Sequence, residues 1–325
     1  MITYIIRRLL YAIPILITVN VLTFILFFYI NSPDDIARAQ LGDKRTTPEA
    51  VEQWKADRGY AKPLIWNSEE SGFDSVTKTV FFDKSVRMMA FDFGSSDSGR
   101  DINHDISQRM WPSLAIAIPS LILGLLFNIS IALMIVFFRG TRIDLSAMVT
   151  CVGLMSISSL FYIIGGQFLF SKILHLVPIS GYDTGLQATK FLILPVIIGV
   201  IGGIGSGVRW YRTLFLEEIG KDYVRTARAK GLKETKVLFG HVLQNALIPI
   251  LTGVVVILPL LFMGSLITES FFGIPGLGSY TIDGIQRQDF AIVRSMVYLG
   301  SVLYIIGLVL TDISYTLVDP RVRLN

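Results

Sequence analysis

Three carboxylates stand beside long apolar stretches: Asp144, Glu269 and Asp312. Ionisable groups at membrane depth are functional by default, so the first chemistry to test is a proton or ion relay. A relay needs several such groups near the middle of the spans. Here Asp144 opens the third stretch, Glu269 lies near the outer end of the fifth, and Asp312 falls in the inner half of the sixth. Hydrogen bonding within the protein is the expected role of Glu269 and Asp312. Nucleotide chemistry is equally thin. No G-x-x-x-x-G-K-[ST] loop occurs, and the Gly220-Lys221 pair runs into Asp222 without the upstream glycine spacing. H-E-x-x-H, a Cys/His cluster and G-x-S-x-G are absent. The histidines His104, His175 and His241 are far apart, and Cys151 has no cysteine to pair with. The expectation is a chain that neither hydrolyses nucleotide nor binds a metal or cofactor. Any uphill work it does must draw its energy from a partner.

The one long polar insertion between apolar stretches that could meet such a partner is Glu217 to Pro249. It reads as two short helices broken at Gly231, a residue that ends a helix in the left-handed conformation at little cost. The first holds Asp222, Tyr223, Arg225, Thr226, Ala227, Arg228, Ala229 and Lys230. The second carries His241 and Asn245 and runs into the apolar segment that Pro249 opens. Small side chains ringed by charge suit docking into a groove on another protein. A solvated basic loop that only fixes topology fits the same pattern.

Around it the 325 residues are 52% hydrophobic and 17% charged, with positive mean hydropathy, which excludes an ordinary soluble domain. Six uncharged or nearly uncharged stretches are long enough to cross roughly 30 Å of hydrocarbon at about 1.5 Å per residue. They run from Leu9 to Pro33, Trp111 to Phe138, Leu145 to Ser171, Phe191 to Val208, Pro249 to Phe271 and Val293 to Leu317. Helices are the expected form, because lipid satisfies no backbone polar group. Pro119, Pro195 and Pro259 predict kinks rather than breaks. The first stretch is too long for a signal peptide and lacks a cleavage site. Arg7 and Arg8, Arg139 and Arg142, the Arg209 to His241 region, and Arg321 and Arg323 share one side, which the positive-inside rule makes cytoplasmic together with both termini. The expected division is a first helix at 1–33, an extracytoplasmic lobe at 34–110 rich in aromatic anchors, and a five-helix core at 111–325 with the polar segment at 217–249. In the fourth stretch Gly199, Gly203 and Gly207 form a small-xxx-small repeat, read as close helix packing or as a face along a translocation path.

Two motifs carry a specific resemblance. Asp222 through Leu232, DYVRTARAKGL, followed by His241 through Pro249, HVLQNALIP, resembles the cytoplasmic coupling motif of ABC-transporter permeases. The nearest branch is the dipeptide, oligopeptide and nickel import family, B-type subunit. Ile274-Pro275-Gly276-Leu277-Gly278, Gln288-Asp289-Phe290, Asp312 to Tyr315 and Asp319 to Leu324 are similar to that family's C-terminal signatures. Tyr4 to Leu10 and Phe91 to Gly94 fit as well. Three positions depart. Arg225 stands where the wider motif has glutamate, Gly307-Leu308 where relatives often have Asn-Leu, and Trp111-Pro112-Ser113-Leu114 where a threonine more often precedes the leucine. The resemblance implies an all-α, six-span permease of type I importer fold in a bacterial inner membrane, surrounded by lipid and without a nucleic-acid partner. It implies a homologous second permease, two ATP-binding subunits that hold ATP and magnesium, and an extracytoplasmic substrate-binding protein. Asp222, Tyr223, Arg225, Thr226, Ala227, Arg228, Ala229, Lys230, Gly231, His241 and Asn245 would couple to the ATPases. Gly199, Gly203, Gly207, Glu269, Pro275, Gly276 and Asp312 are pathway or packing candidates. A membrane sensor with a ligand-presenting lobe and a stand-alone secondary carrier are the alternatives. The first does not require the docking helix or the 274–278 loop, and the second lacks a midplane charge or visible repeat.

Overall fold

A computed structural model describes residues 2–42 and 47–318 of the chain. The Asp319 to Leu324 signature, with Arg321 and Arg323, lies outside the described residues. Those residues form helices and connecting loops, with a lone antiparallel bridge between Ser95 and Asp101 and no extended strand among them. Five helical stretches are long and apolar enough to span a membrane: 6–30, 102–137, 185–219, 234–263 and 290–314. A sixth is made of Arg142–Met155 and Ser159–Ile173, which meet at 87°.

That bend divides the expected third span, Leu145 to Ser171, into two helices. Ser158 is extended, and the Ser156 hydroxyl donates to the Val152 carbonyl within the turn before it. The Leu154 carbonyl accepts the Tyr162 hydroxyl at 2.8 Å. Non-helical backbone is tolerated in a bundle only where the protein supplies such partners. Pro259 also behaves differently from a kink: it opens a 3₁₀ turn, Pro259–Met263, that ends at Gly264 with φ 67°. The helix Leu266–Phe272, carrying Glu269, is therefore separate from the fifth span. That span begins at Glu234 and runs through Pro249, so the second polar helix and the fifth apolar stretch form one rod.

Contacts sort the connections onto two ends. At one end Gly181 N donates to Phe272 O at 2.8 Å, and Gln40 Nε2 to Arg287 O at 2.8 Å. At the other, Arg212 pairs with Asp144, and Arg8 Nε with Asp312 Oδ2 at 2.8 Å. The Arg8–Asp312 pair ties the first span to the sixth, which gives Asp312 a structural partner. The long segment after the first span forms the lobe. Its helices Pro33–Leu41 and Pro48–Asp57 each start with proline behind a capping Ser32 or Thr47, as expected for helix N-termini. Phe24, Phe28, Ile36, Val51, Trp54, Tyr60 and Val80 form one buried cluster, so the lobe packs on the end of the first span. Asn20 Nδ2 reaches from that span to Ser85 O at 2.9 Å.

In the lobe, Asp97 is buried; its Oδ1 accepts the Tyr60 hydroxyl at 3.0 Å, and its amide donates to Asp289 Oδ2 at 3.0 Å. Burial, with the Asp289 carboxylate close by, pushes its carboxyl from the ordinary 3.8 up to about 6. The folded lobe then holds a proton that the unfolded chain has released, so stability falls as pH rises from about 4 to 6. Asp97→Asn keeps the acceptor for Tyr60 and removes the charge. We expect it to stabilise the lobe at pH 7 by at most ~3 kcal/mol and to lose that advantage below about pH 4. Thermal unfolding of both proteins across this range, followed by tryptophan fluorescence, tests it; a constant difference at every pH would contradict the raised carboxyl.

Candidate functional site

The first part of the site is the Asp222–Ala229 helix and its mounting. On a helix, residues three and four apart share a face. Val224 and Ala227 are 0% and 5% exposed, and they join a buried cluster with Phe215 and Ile219 of the fourth span and Val237, Leu238 and Val242 at the start of the fifth. Asp222, Arg225, Thr226 and Ala229 are exposed, at i, i+3, i+4 and i+7. One face is thus anchored and the other presented. Ala227, expected among the docking residues, lies on the buried face, where its small side chain lets the helix approach its own bundle.

Polar bonds fix the mount. Glu218, buried at the end of the fourth span, accepts the Tyr223 hydroxyl and the Lys221 ammonium. Asn245 of the fifth span donates to His241 O at 2.7 Å. Burial, then the Glu218 carboxylate, pushes the Tyr223 phenol up. Gly231 is left-handed at φ 75°, and across its turn Arg228 grips Glu234 through two bonds, at 3.1 and 2.7 Å. Bidentate geometry of this kind adds directional rigidity. Lys230 is exposed, and His241 is half-buried. At the same end Arg212 clasps Asp144 through two 2.9 Å bonds, and Gly140 N donates to Asp144 at 3.1 Å. Glu218, Glu234 and Arg212 escaped the sequence reading, although opposite charges three and six residues from Lys221 and Arg228 were visible there.

The second part surrounds Glu269, which is 1% exposed. Its Oε1 accepts Ser265 N at 3.0 Å, and its Oε2 accepts Ser279 N at 3.0 Å. Ser279 lies in the first turn of the helix Leu277–Gln286, where orphan N–H groups and the helix dipole favour a carboxylate. Ser113 of the second span accepts Leu277 N at 2.8 Å, so its hydroxyl is used at the position where relatives more often carry threonine. Pro275 is exposed beside this network. Gly276 has no room to spare: a Cβ there would lie 2.2 Å from Glu269 Oε2 and 2.5 Å from Ser113 Oγ.

The glycines of the fourth span divide. A Cβ on Gly199 would meet Ser120 Oγ at 3.3 Å, and one on Gly207 would meet Asn128 Nδ2 at 2.3 Å; at Gly203 it would meet nothing within 4 Å. Every fourth residue drifts around a helix of about 3.6 residues per turn, so the three do not face one neighbour. Gly205, off the repeat, makes the backbone approach: a Cβ there would lie 2.7 Å from Cys151 O. Gly199 and Thr268 line two cavities of about 270 Å³ each; Glu269, Ser113 and Ser120 line one, and Ser159 and Tyr162 the other. Gly307 is accounted for too: any side chain there would strike Val256 O, 2.8 Å from its Cβ position.

The described residues thus place a lobe and a two-faced helix at opposite ends of a bundle whose cavities carry the hydroxyls of Ser113, Ser120, Ser159, Tyr162 and Thr268. Residues 129–324 match the family described as binding-protein-dependent transport system inner membrane component, and residues 1–95 its N-terminal counterpart. An oligopeptide transport system permease of Bacillus subtilis (strain 168) is 30% identical over 333 residues, covering 99% of this chain and 100% of the relative. A glutathione transport system permease of Salmonella choleraesuis (strain SC-B67) is 30% identical over 326 residues, covering 99% of each. The chain belongs to this family, the multi-pass inner-membrane permease subunits of ABC importers.

The packing around Glu269 makes a sharp expectation. Gly276→Ala forces a methyl into the carboxylate and should destabilise the subunit by about 1–3 kcal/mol. Glu269→Gln, which keeps the shape and loses one acceptor, should cost about as much as leaving a buried amide unpaired, ~1–3 kcal/mol. Denaturant unfolding in mixed micelles reads both, and wild-type stability of Gly276→Ala would refute the close contact.

Proposed function

We propose that this subunit carries short peptides or peptide-like solutes and forms half of the translocation pathway, a homologous second permease supplying the other half. The peptide class rests on the names of the two relatives, which handle oligopeptides and glutathione. The observation that carries the mechanism is the presented face of the Asp222–Ala229 helix, whose opposite face is locked into the bundle through Val224 and Ala227. Asp222, Arg225, Thr226 and Ala229, with Lys230 beside them, enter a groove on an ATP-binding subunit. His241 and Asn245 support the helix from the fifth span.

In this reading ATP and magnesium are held by the two ATPases, and the chain itself is non-catalytic. Both termini and the docking helix face the cytoplasm, as the arginine distribution favours. The segment 34–110 is the extracytoplasmic lobe and meets the substrate-binding protein. Closure of the ATPases pulls the helix. Because the Tyr223–Glu218 bond joins it to the fourth span and Val224 and Ala227 pack on the start of the fifth, the pull reaches the cavities at Gly199 and Thr268. The ATPases must bind the inward- and outward-facing states with different affinity, since a partner shifts an equilibrium only by its differential binding.

The two faces predict different failures. Ala229→Trp and Arg225→Glu change the presented face and should reduce co-purifying ATPase about tenfold or more while membrane insertion and helical content stay intact. Ala227→Trp overfills the subunit's own core and should lower its stability instead. Wild-type ATPase recovery with Ala229→Trp would remove the docking assignment.

A further inference from the structure

We propose that a cleft in the lobe binds a small zwitterion of the amino-acid and short-peptide class, its carboxylate against Lys84 and Arg58 and its ammonium against Asp97. The cleft measures about 400 Å³ and is lined by these three residues and Ser96 among others. That volume lies within the roughly 300–1,000 Å³ of small-molecule sites.

Asp57 also lines the cleft, and Asp97, Lys84 and Arg58 each have unused bonding capacity. Asp97 is 5% exposed; one oxygen accepts the Tyr60 hydroxyl, while Oδ2 has no hydrogen-bond partner among the described residues. Lys84 is half-buried with its ammonium 4.8 Å over the Tyr60 ring, and it forms no ion pair with a described carboxylate. Arg58 spends Nε on Asp97 O at 2.9 Å and stacks 4.6 Å over Trp54, again without an ion pair among the described residues. Arg294 of the sixth span, 2% exposed and 4.9 Å over the Phe28 ring, adds positive charge from the bundle side and has no hydrogen-bond partner for Nε or Nη1 among the described residues. Burial, then the Arg294 guanidinium, pulls the Lys84 ammonium down against the opposing pull of the Asp97 and Asp83 carboxylates.

Buried polar atoms without partners are uncommon, and each calls for an explanation. A simple anion would satisfy Lys84 and Arg58 but leave Asp97 Oδ2 bare and add like charge beside it. A simple cation would do the reverse. A molecule carrying both charges answers both needs at once. The assignment is independent of the docking helix and of the transport cycle, because it concerns equilibrium binding in the lobe.

The test is calorimetric titration of the intact transporter complex in nanodiscs, without nucleotide or binding protein. The probes are glycylglycine, N-acetylglycine, which keeps only the carboxylate, and glycinamide, which keeps only the ammonium. Glycylglycine should bind saturably, and both singly charged analogues about tenfold or more weaker. Lys84→Met and Asp97→Asn should each weaken glycylglycine by a similar factor. Lys84 makes no hydrogen bond to a described residue, so its substitution tests the carboxylate side of the cleft independently of Asp97→Asn. Absence of saturable binding, an unchanged affinity in Lys84→Met, or N-acetylglycine binding as well as glycylglycine would each overturn the proposal.

Discussion

A carboxylate with almost no exposed surface survives among apolar helices only when hydrogen bonds replace its hydration. Glu269 meets that condition with backbone N–H groups from both of its flanks, Ser265 on one side and Ser279 on the other. The carboxylate therefore sits at a helix N-terminus, where the dipole helps hold its charge. Much follows from this one arrangement. The loop 274–278 must come close enough to bond, so Gly276 has no space for a side chain. The second span must bring Ser113 alongside, so its hydroxyl accepts Leu277 N. The short helices after the fifth span are held against the second span, and the cavity that Glu269 borders keeps its wall.

The opposite end is governed by a comparable division between anchoring and presentation. A free helix of eight residues is below the length at which isolated helices persist in water, so its order must come from packing. Val224 and Ala227 supply that packing, and Tyr223, Glu218 and the Arg228–Glu234 pair fix its direction. Docking side chains can then remain exposed without loosening the helix. A rigid mount matters for any part that transmits force, because a floppy one would absorb the displacement.

Between the two ends, the fourth span shows how small residues are used singly rather than as a stripe. Gly207 admits Asn128, Gly205 admits the backbone at Cys151, and Gly199 opens onto both cavities. Gly307 lets the sixth span touch the carbonyl of Val256 in the fifth. Spans in lipid gain little from hydrophobic exclusion of one another, so close backbone approach is a main source of their cohesion.

The sequence by itself determined the class: helical spans from the length and purity of apolar stretches, and a partner-facing segment from the polar insertion that interrupts them. It also located the Gly231 turn, since left-handed backbone favours a particular residue type. These are local or compositional properties, readable along one dimension. Only the tertiary structure decided which face of the 222–229 helix is buried, because that depends on where the fourth and fifth spans lie. It also decided that the third span bends at Ser156–Ser159, where Tyr162 supplies a hydroxyl eight residues from the carbonyl it satisfies. The same holds for Asp97, which needs Tyr60 and Asp289, 37 and 192 residues away, and for Asp312, which needs Arg8. Partners so distant in the chain leave no spacing to read, so folding alone brings them together.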